Sequence, residues 1–231
     1  APLLMLPGMM CDARLFQSQI AAFSRERSVM VAPLHGAETV EDLAAQIIEQ
    51  SPARFALCGL SMGGIVAMEI IRQARERVLG LALLDTNPLA EAPERVAARE
   101  PQIAAAQSGG LRRIMRDEMK PNYLADGPRR QDILDLCMQM AEDLGPKVFV
   151  TQSRALASRP DQVDTLKTVN QPSLVLCGEA DALCPVERHE LIAGLIQGAT
   201  LNVIEGAGHL PTLERPNATN AALRQWLDQI D

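Results

Sequence analysis

Ser61 stands in the pentapeptide Gly59-Leu60-Ser61-Met62-Gly63, between a short apolar run and a helical pattern. A serine hydroxyl becomes a nucleophile when a base takes its proton, and that base needs a carboxylate to orient it. Glycines at both ends of the pentapeptide let a strand and a helix fold back tightly around the serine. The chemistry this spacing suggests is attack on a carbonyl carbon, with backbone N–H groups holding the developing oxyanion. Only three histidines are available as the base: His35, His189 and His209. His189 lies mid-helix in VERHELI beside charged residues and reads as a solvated helix position. His35 precedes Gly36 in a turn upstream of the serine and reads as turn structure. His209 follows Gly206-Ala207-Gly208 directly after a strand, where two glycines allow close approach, and is the candidate base.

Two acids compete to orient it. Asp181 lies in Gly178-Glu179-Ala180-Asp181, and Asp85 ends an earlier apolar strand. Both fall at the carboxyl edge, where open α/β sheets place their chemistry. Asp181 precedes the histidine strand by one helix, which favours it and keeps Asp85 as the alternative; Glu179 reads as a solvated turn residue. For the oxyanion, the N–H of Met62 opens the helix after Ser61. A second donor is expected from the turn Pro7-Gly8-Met9-Met10: Pro7 has no N–H, Met9 is the candidate, and Met10 is the fallback. Met10, Met138 and Leu210 are candidate substrate contacts.

These residues need a scaffold, and the hydrophobic pattern supplies one. Apolar runs at Pro2–Leu6, Ser28–Ala32, Phe55–Cys58, Val78–Leu84, Ser173–Cys177 and Thr200–Ile204 are bounded by turn signals and read as buried strands. Helical periodicity falls between them. It begins after Asp12, after Thr39 (with Asp42 placed as in a capping box) and after Ser61, then recurs over Val186–Ile196 and Pro216–Ile230. Strands alternating with helices predict a mostly parallel, doubly wound sheet. From Leu89 to Thr165 the alternation stops. Four helices are expected over Glu91–Gln107, Leu111–Met119, Arg129–Leu144 and Pro146–Ser158, broken at Gly/Pro pairs. This divides the chain into a core, 1–88 and 166–231, and a helical lid, 89–165, inserted after the fourth strand. The apolar stripe of the third lid helix reads as ordinary helix packing. The sharper reading is a lid whose flexible methionines meet an apolar substrate.

Composition narrows the partners. The chain of 231 residues is 47% hydrophobic and 22% charged, with a net charge of −7. That balance argues against nucleic acid or an anionic membrane as partner. No signal-like or membrane-spanning stretch is read, and five cysteines without a C-x-x-C pair fit a reduced, cytoplasmic protein, with Cys58, Cys137 and Cys177 reading as small core residues and Cys11 and Cys184 as loop residues near the site. The expected partner is a small acyl substrate, with no metal and no organic cofactor; oligomeric state is left open.

Together, LPGMM, GLSMGG, CGEADALCP and GAGHLPTLERP resemble the α/β-hydrolase superfamily over essentially the whole chain, in particular its lid-bearing, esterase-like members. The oxyanion turn departs from the usual His-Gly by carrying Pro7-Gly8. The common leading β-hairpin is not seen, so six parallel strands are expected. Serine at position 61 speaks against the dehalogenase and epoxide-hydrolase branches. The resemblance implies a Ser61–His209–Asp181 triad that cleaves a small carboxylic ester or thioester. It leaves open a lactonase or carbon–carbon bond hydrolase, a cofactor-free lyase or synthase, and a receptor-like binding protein. Lyase-type members often hold acidic substrates with arginines; the lid offers Arg112, Arg113, Arg116, Arg129 and Arg130, whose default reading is a solvated face.

Overall fold

A computed structural model describes residues 1–230. The strands are β1 (Leu3–Leu6), β2 (Val29–Val31), β3 (Phe55–Leu60), β4 (Val78–Leu84), β5 (Ser173–Gly178) and β6 (Thr200–Ile204). They form one sheet in the order β2-β1-β3-β4-β5-β6, and every neighbouring pair is parallel. The helices of the core are α1 (Gln17–Phe23), α2 (Val40–Gln50), α3 (Met62–Ala74), α8 (Val186–Leu195), α9 (Pro211–Glu214) and α10 (Pro216–Leu227). Between β4 and β5 the chain is helical: α4 (Pro93–Ala105), α5 (Leu111–Arg113), α6 (Arg130–Ala157) and α7 (Val163–Leu166), with wide or tight helical turns joining the first three.

The period-two geometry of a strand sorts its side chains between the two faces. Leu3 and Met5 of β1, Ala56 and Cys58 of β3 and Leu174 and Leu176 of β5 pack in one core with Phe23 of α1 and Trp226 of α10. Their alternating neighbours Leu4, Leu57 and Val175 pack in a second core with Leu43 of α2, Ile70 of α3 and Ile192 of α8. With both faces covered, the strands carry apolar residues at nearly every position rather than alternately. A third, smaller core joins Met10 to Ile114, Met115, Met138 and Phe149 of the intervening helical segment.

Local signals act largely where expected. Asp12 caps the chain by accepting the Arg14 N–H at 2.9 Å, although a turn of 3₁₀ helix precedes α1. Thr39 accepts the Asp42 N–H at 3.1 Å; its hydroxyl donates to the Asp42 carboxylate at 2.7 Å, so the pair closes through side chains. The break expected at Gly145-Pro146 is a kink inside α6, where Gly145 adopts φ 77°, ψ 175°. The two ends of the helical segment meet. The Gln162 N–H donates to the Pro88 carbonyl at 2.8 Å, and Arg159 Nε donates to the Leu89 carbonyl at 3.0 Å.

Candidate active site

All strands point the same way, so the loops after β1, β3, β4, β5 and β6 gather at one edge of the sheet. They carry Met9, Ser61, Asp85, Asp181 and His209. Ser61 sits between β3 and α3 at φ 56°, ψ −115°, a strained conformation for a residue with a side chain. The bend leaves no room at its flanks. A Cβ on Gly59 would lie 2.3 Å from the Gly63 carbonyl oxygen, and one on Gly63 would lie 2.0 Å from that of Leu6. Behind the bend, the Ser61 N–H donates to the Leu84 carbonyl at 2.8 Å and the Thr86 hydroxyl donates to the Ser61 carbonyl at 2.7 Å.

In front of it, His209 Nε2 lies 2.9 Å from Ser61 Oγ, and His209 Nδ1 lies 2.8 Å from Asp181 Oδ2. The other Asp181 oxygen accepts the N–H groups of Leu183 at 2.8 Å and Cys184 at 3.0 Å. Burial alone would raise the Asp181 pKa. The charge and hydrogen bond of His209, with those two N–H groups, outweigh it and hold the carboxyl below the ordinary aspartate value. The histidine loop is fixed by a residue the sequence reading did not single out. The buried Glu214 carboxylate accepts N–H groups from Gly208 at 2.9 Å, Leu210 at 3.0 Å and Ala125 at 2.9 Å. The His209 N–H itself donates to the Tyr123 carbonyl at 2.7 Å.

Among the described residues, neither the Met9 nor the Met62 N–H has a protein acceptor. Met10 is different: its N–H donates to Gln152 Oε1 at 2.9 Å, which removes it as a fallback donor. The buried Gln152 also donates to the Leu34 carbonyl at 2.7 Å, so one side chain from α6 pins the turn after β1. A cavity of about 660 Å³ opens before Ser61, and Met9, Met62, His209 and Leu210 line it. Met10 and Met138 do not; both are committed to the third core, where Met10 is 1% exposed.

A sequence profile described as "Alpha/beta hydrolase family" matches residues 3–222. The chain belongs to the alpha/beta hydrolase family. Among curated relatives, a pimeloyl-[acyl-carrier protein] methyl ester esterase of Salmonella newport is 27% identical over 197 residues, 81% of this chain and 75% of that one. Among solved structures, a thermophilic esterase from Thermogutta terrifontis with malate bound superposes with a TM-score of 0.90 at 29% identity, covering 99% of this chain and 90% of that one. The enol-lactonase from Burkholderia xenovorans shares the fold, with a TM-score of 0.87 at 21% identity over 99% of this chain and 92% of that one.

Within this hydrolase fold, the second acid and the other histidines have different environments from the central three residues. Asp85 is wholly buried at φ 44°; one oxygen accepts the Gly178 N–H at 2.9 Å, and the other has no hydrogen-bond partner among the described residues. Burial first, and then the charge of nearby Asp181, push its pKa well above the ordinary aspartate value. His35 is exposed and lies off the cavity. His189 corrects the sequence reading. It is fully buried, its Nε2 accepts the Thr86 N–H at 3.0 Å, and its Nδ1 lies 3.2 Å from the Pro185 carbonyl. The surrounding charged residues occupy other faces of α8. The lid arginines named from sequence do not line the cavity; Arg113 pairs with Glu118 at 2.8 Å and Arg112 with Glu142. The potential ligand atoms of Asp181, Cys184 and His209 lie within 4.8 Å of one another. Asp181 and His209 are already paired, and burial raises the pKa of Cys184, keeping it a thiol, so the group fits a hydrogen-bonded relay better than a ligand set. Among the described residues no helix is long and apolar enough to cross a membrane.

Proposed function

We propose that this protein is a serine hydrolase that cleaves a small, fairly apolar carboxylic ester through an acyl-enzyme on Ser61. It is an enzyme acting on ester bonds, as its curated esterase relatives are. The observation that carries the mechanism is the continuous relay of 2.9 Å and 2.8 Å from Ser61 Oγ through His209 to Asp181.

His209 Nε2 takes the Ser61 proton as Oγ bonds to the carbonyl carbon. Asp181 holds the ring in the correct tautomer and stabilises the imidazolium. The N–H groups of Met9 and Met62 receive the oxyanion, where one donor is worth ~2.7–4 kcal/mol. Collapse of the tetrahedral species breaks the bond to the leaving oxygen, which takes the proton from His209. Water then gives a proton to His209 and attacks the acyl carbon; the bond to Ser61 Oγ breaks, His209 returns the proton to Oγ, and the acid leaves. Residues 89–165 act as the lid over this site, and Met9, Met62 and Leu210 provide its apolar wall. Five unpaired cysteines suit a reducing, cytoplasmic setting.

The test is single-site labelling by a fluorophosphonate, read by intact mass, alongside turnover of acyl esters of rising chain length. Labelling and turnover are expected in the native protein and absent from Ser61→Ala and His209→Ala. A folded native protein that takes no label would overturn the reading.

A further inference from the structure

The charge of the cavity wall runs against that of the chain. The protein carries a net −7, yet four arginines face three glutamates around the space in front of Ser61. The arginines are Arg95, Arg99, Arg159 and Arg188. Two of the glutamates are engaged. Glu118 accepts from Arg113 at 2.8 Å and Gln102 at 2.9 Å. Glu91 is shared: Arg159 Nη2 lies 3.2 Å from one of its oxygens, and Arg99 Nε donates to the other at 3.0 Å. One carboxylate therefore serves two guanidinium groups. The third, Glu94, is exposed. Arg95 and Arg188 have no anionic partner among the described residues.

This positive wall is close to the reacting centre. The Cys184 thiol lies within 4.8 Å of the Asp181 carboxylate and the His209 ring, and the same thiol feels the charges of Arg159 and Arg95. Arg159 is 9% exposed in its side chain, and burial lowers its pKa. Glu91 opposes that change, and the adjoining charges of Arg99 and Arg95 reinforce it. A buried cation with incomplete compensation is stabilised by any anion that reaches it.

We infer that Arg95, Arg159 and Arg188 form an anion subsite in the cavity, and that the ester cleaved at Ser61, apolar around its carbonyl, carries a free carboxylate at its far end. Glu118 is neutralised by Arg113, so Glu91 and Glu94 alone answer the four arginines of the wall and an added anion is accommodated there. Guanidinium groups suit the planar oxygens of a carboxylate by geometry as well as charge. The carboxylate belongs either to the acyl part, as in a dicarboxylic acid monoester, or to the alcohol part, as in an acylated hydroxy acid. The subsite stands on the wall itself; only its link to catalysis rests on the serine-hydrolase reading.

Two measurements separate those halves. Glutarate, with dimethyl glutarate as the uncharged control, is titrated by calorimetry into the native protein, Arg95→Gln and Arg188→Gln. Neither arginine holds a partner in the fold, and circular dichroism confirms the folded state of each variant. Glutarate is expected to bind one to one, at least about tenfold more weakly to each variant, as loss of a charge-assisted hydrogen bond implies. The native protein is then given monomethyl glutarate against methyl valerate, and O-acetyl-lactate against propyl acetate. A preference of about tenfold or more in kcat/KM, carried by KM, is expected for the charged member of one pair, and which pair shows it identifies the side that holds the carboxylate. The preference is expected to collapse in the variants. Absent glutarate binding, or equal binding by native protein and variants, overturns the subsite even if neutral esters are cleaved. Equal kcat/KM for the two members of both pairs overturns the carboxylate-bearing ester. Glutarate binding without cleavage of any ester leaves the subsite standing and removes the hydrolase reading instead.

Discussion

The Thr86 hydroxyl donates to the Ser61 carbonyl at 2.7 Å, so the loop after β4 holds the strained turn after β3 from behind. Thr86→Val keeps the shape and removes the donor. It is expected to cost ~1–3 kcal/mol. It should also lower kcat severalfold with little change in KM, because the turn loses its brace while valine keeps the place and shape of Thr86 in the cavity wall. Urea unfolding and steady-state kinetics on the same preparation check both.

Behind Thr86 stands His189, whose pKa burial lowers to about 4. In the unfolded chain it titrates near 6.5. Between those values the unfolded state binds more protons, so stability is complete above about pH 6.5 and falls as the pH drops toward 4. The loss attributable to His189 is on the order of 3 kcal/mol. His189→Gln, which keeps an acceptor for the Thr86 N–H, should flatten this part of the pH–stability curve. An equally steep curve in that variant would assign the acid sensitivity to other groups.

The two buried aspartates should separate cleanly. Asp181→Asn leaves His209 without its anion and is expected to lower kcat by about 10⁴-fold. Asp85→Asn keeps an oxygen for the Gly178 N–H, leaves the His209–Asp181 pair in place, and should keep kcat within about threefold. A severe kcat loss in Asp85→Asn with Asp181→Asn nearly normal would reverse the assignment.

Glu214 gathers three N–H groups around the histidine loop. Glu214→Ala leaves two buried donors and the half-buried Ala125 N–H unmet, the buried ones worth ~1–3 kcal/mol each, so a large fall in melting temperature is expected. Glu214→Gln keeps one carbonyl acceptor and should fall in between, with kcat reduced more than KM as His209 loses its position. Thermal unfolding followed by kinetics below the transition tests the ranking.

Sequence patterns made much of this arrangement readable. The strand runs, the Gly59–Gly63 bend and the loops of Asp181 and His209 are local features, and local features are what periodicity and turn chemistry encode. Partners far apart in the chain were not readable. Nothing near Gln152 announces that it will pin Met10, and nothing in the neighbourhood of Arg159 announces Glu91. Met10 and Met138 share an apolar character with the true cavity residues, and hydrophobicity alone cannot tell a core from a pocket wall. His189 was readable in principle. Val186, His189 and Ile192 recur every three residues along α8, and His189 and Ile192 are the fully buried members of that row. The dense charges of VERHELI masked that stripe.

The contacts that join Pro88 and Leu89 to Gln162 and Arg159 close the helical segment on itself, and the Gln162 side chain adds a hydrogen bond of 2.8 Å to the buried Glu69 of α3. Where two chain ends leave and re-enter a scaffold at one sutured point, the material between them can lengthen, shorten or be exchanged with little effect on the rest. Within that segment Tyr123 and Ala125 hold the histidine loop and Gln152 pins the turn after β1, so these three are fixed by the sheet edge that carries Ser61, Asp181 and His209, whereas Arg95, Arg99 and the wall they form are free to change. New specificities can be grafted onto this chain by varying the stretch between the sutures around those three anchors while the reacting groups stay where they are.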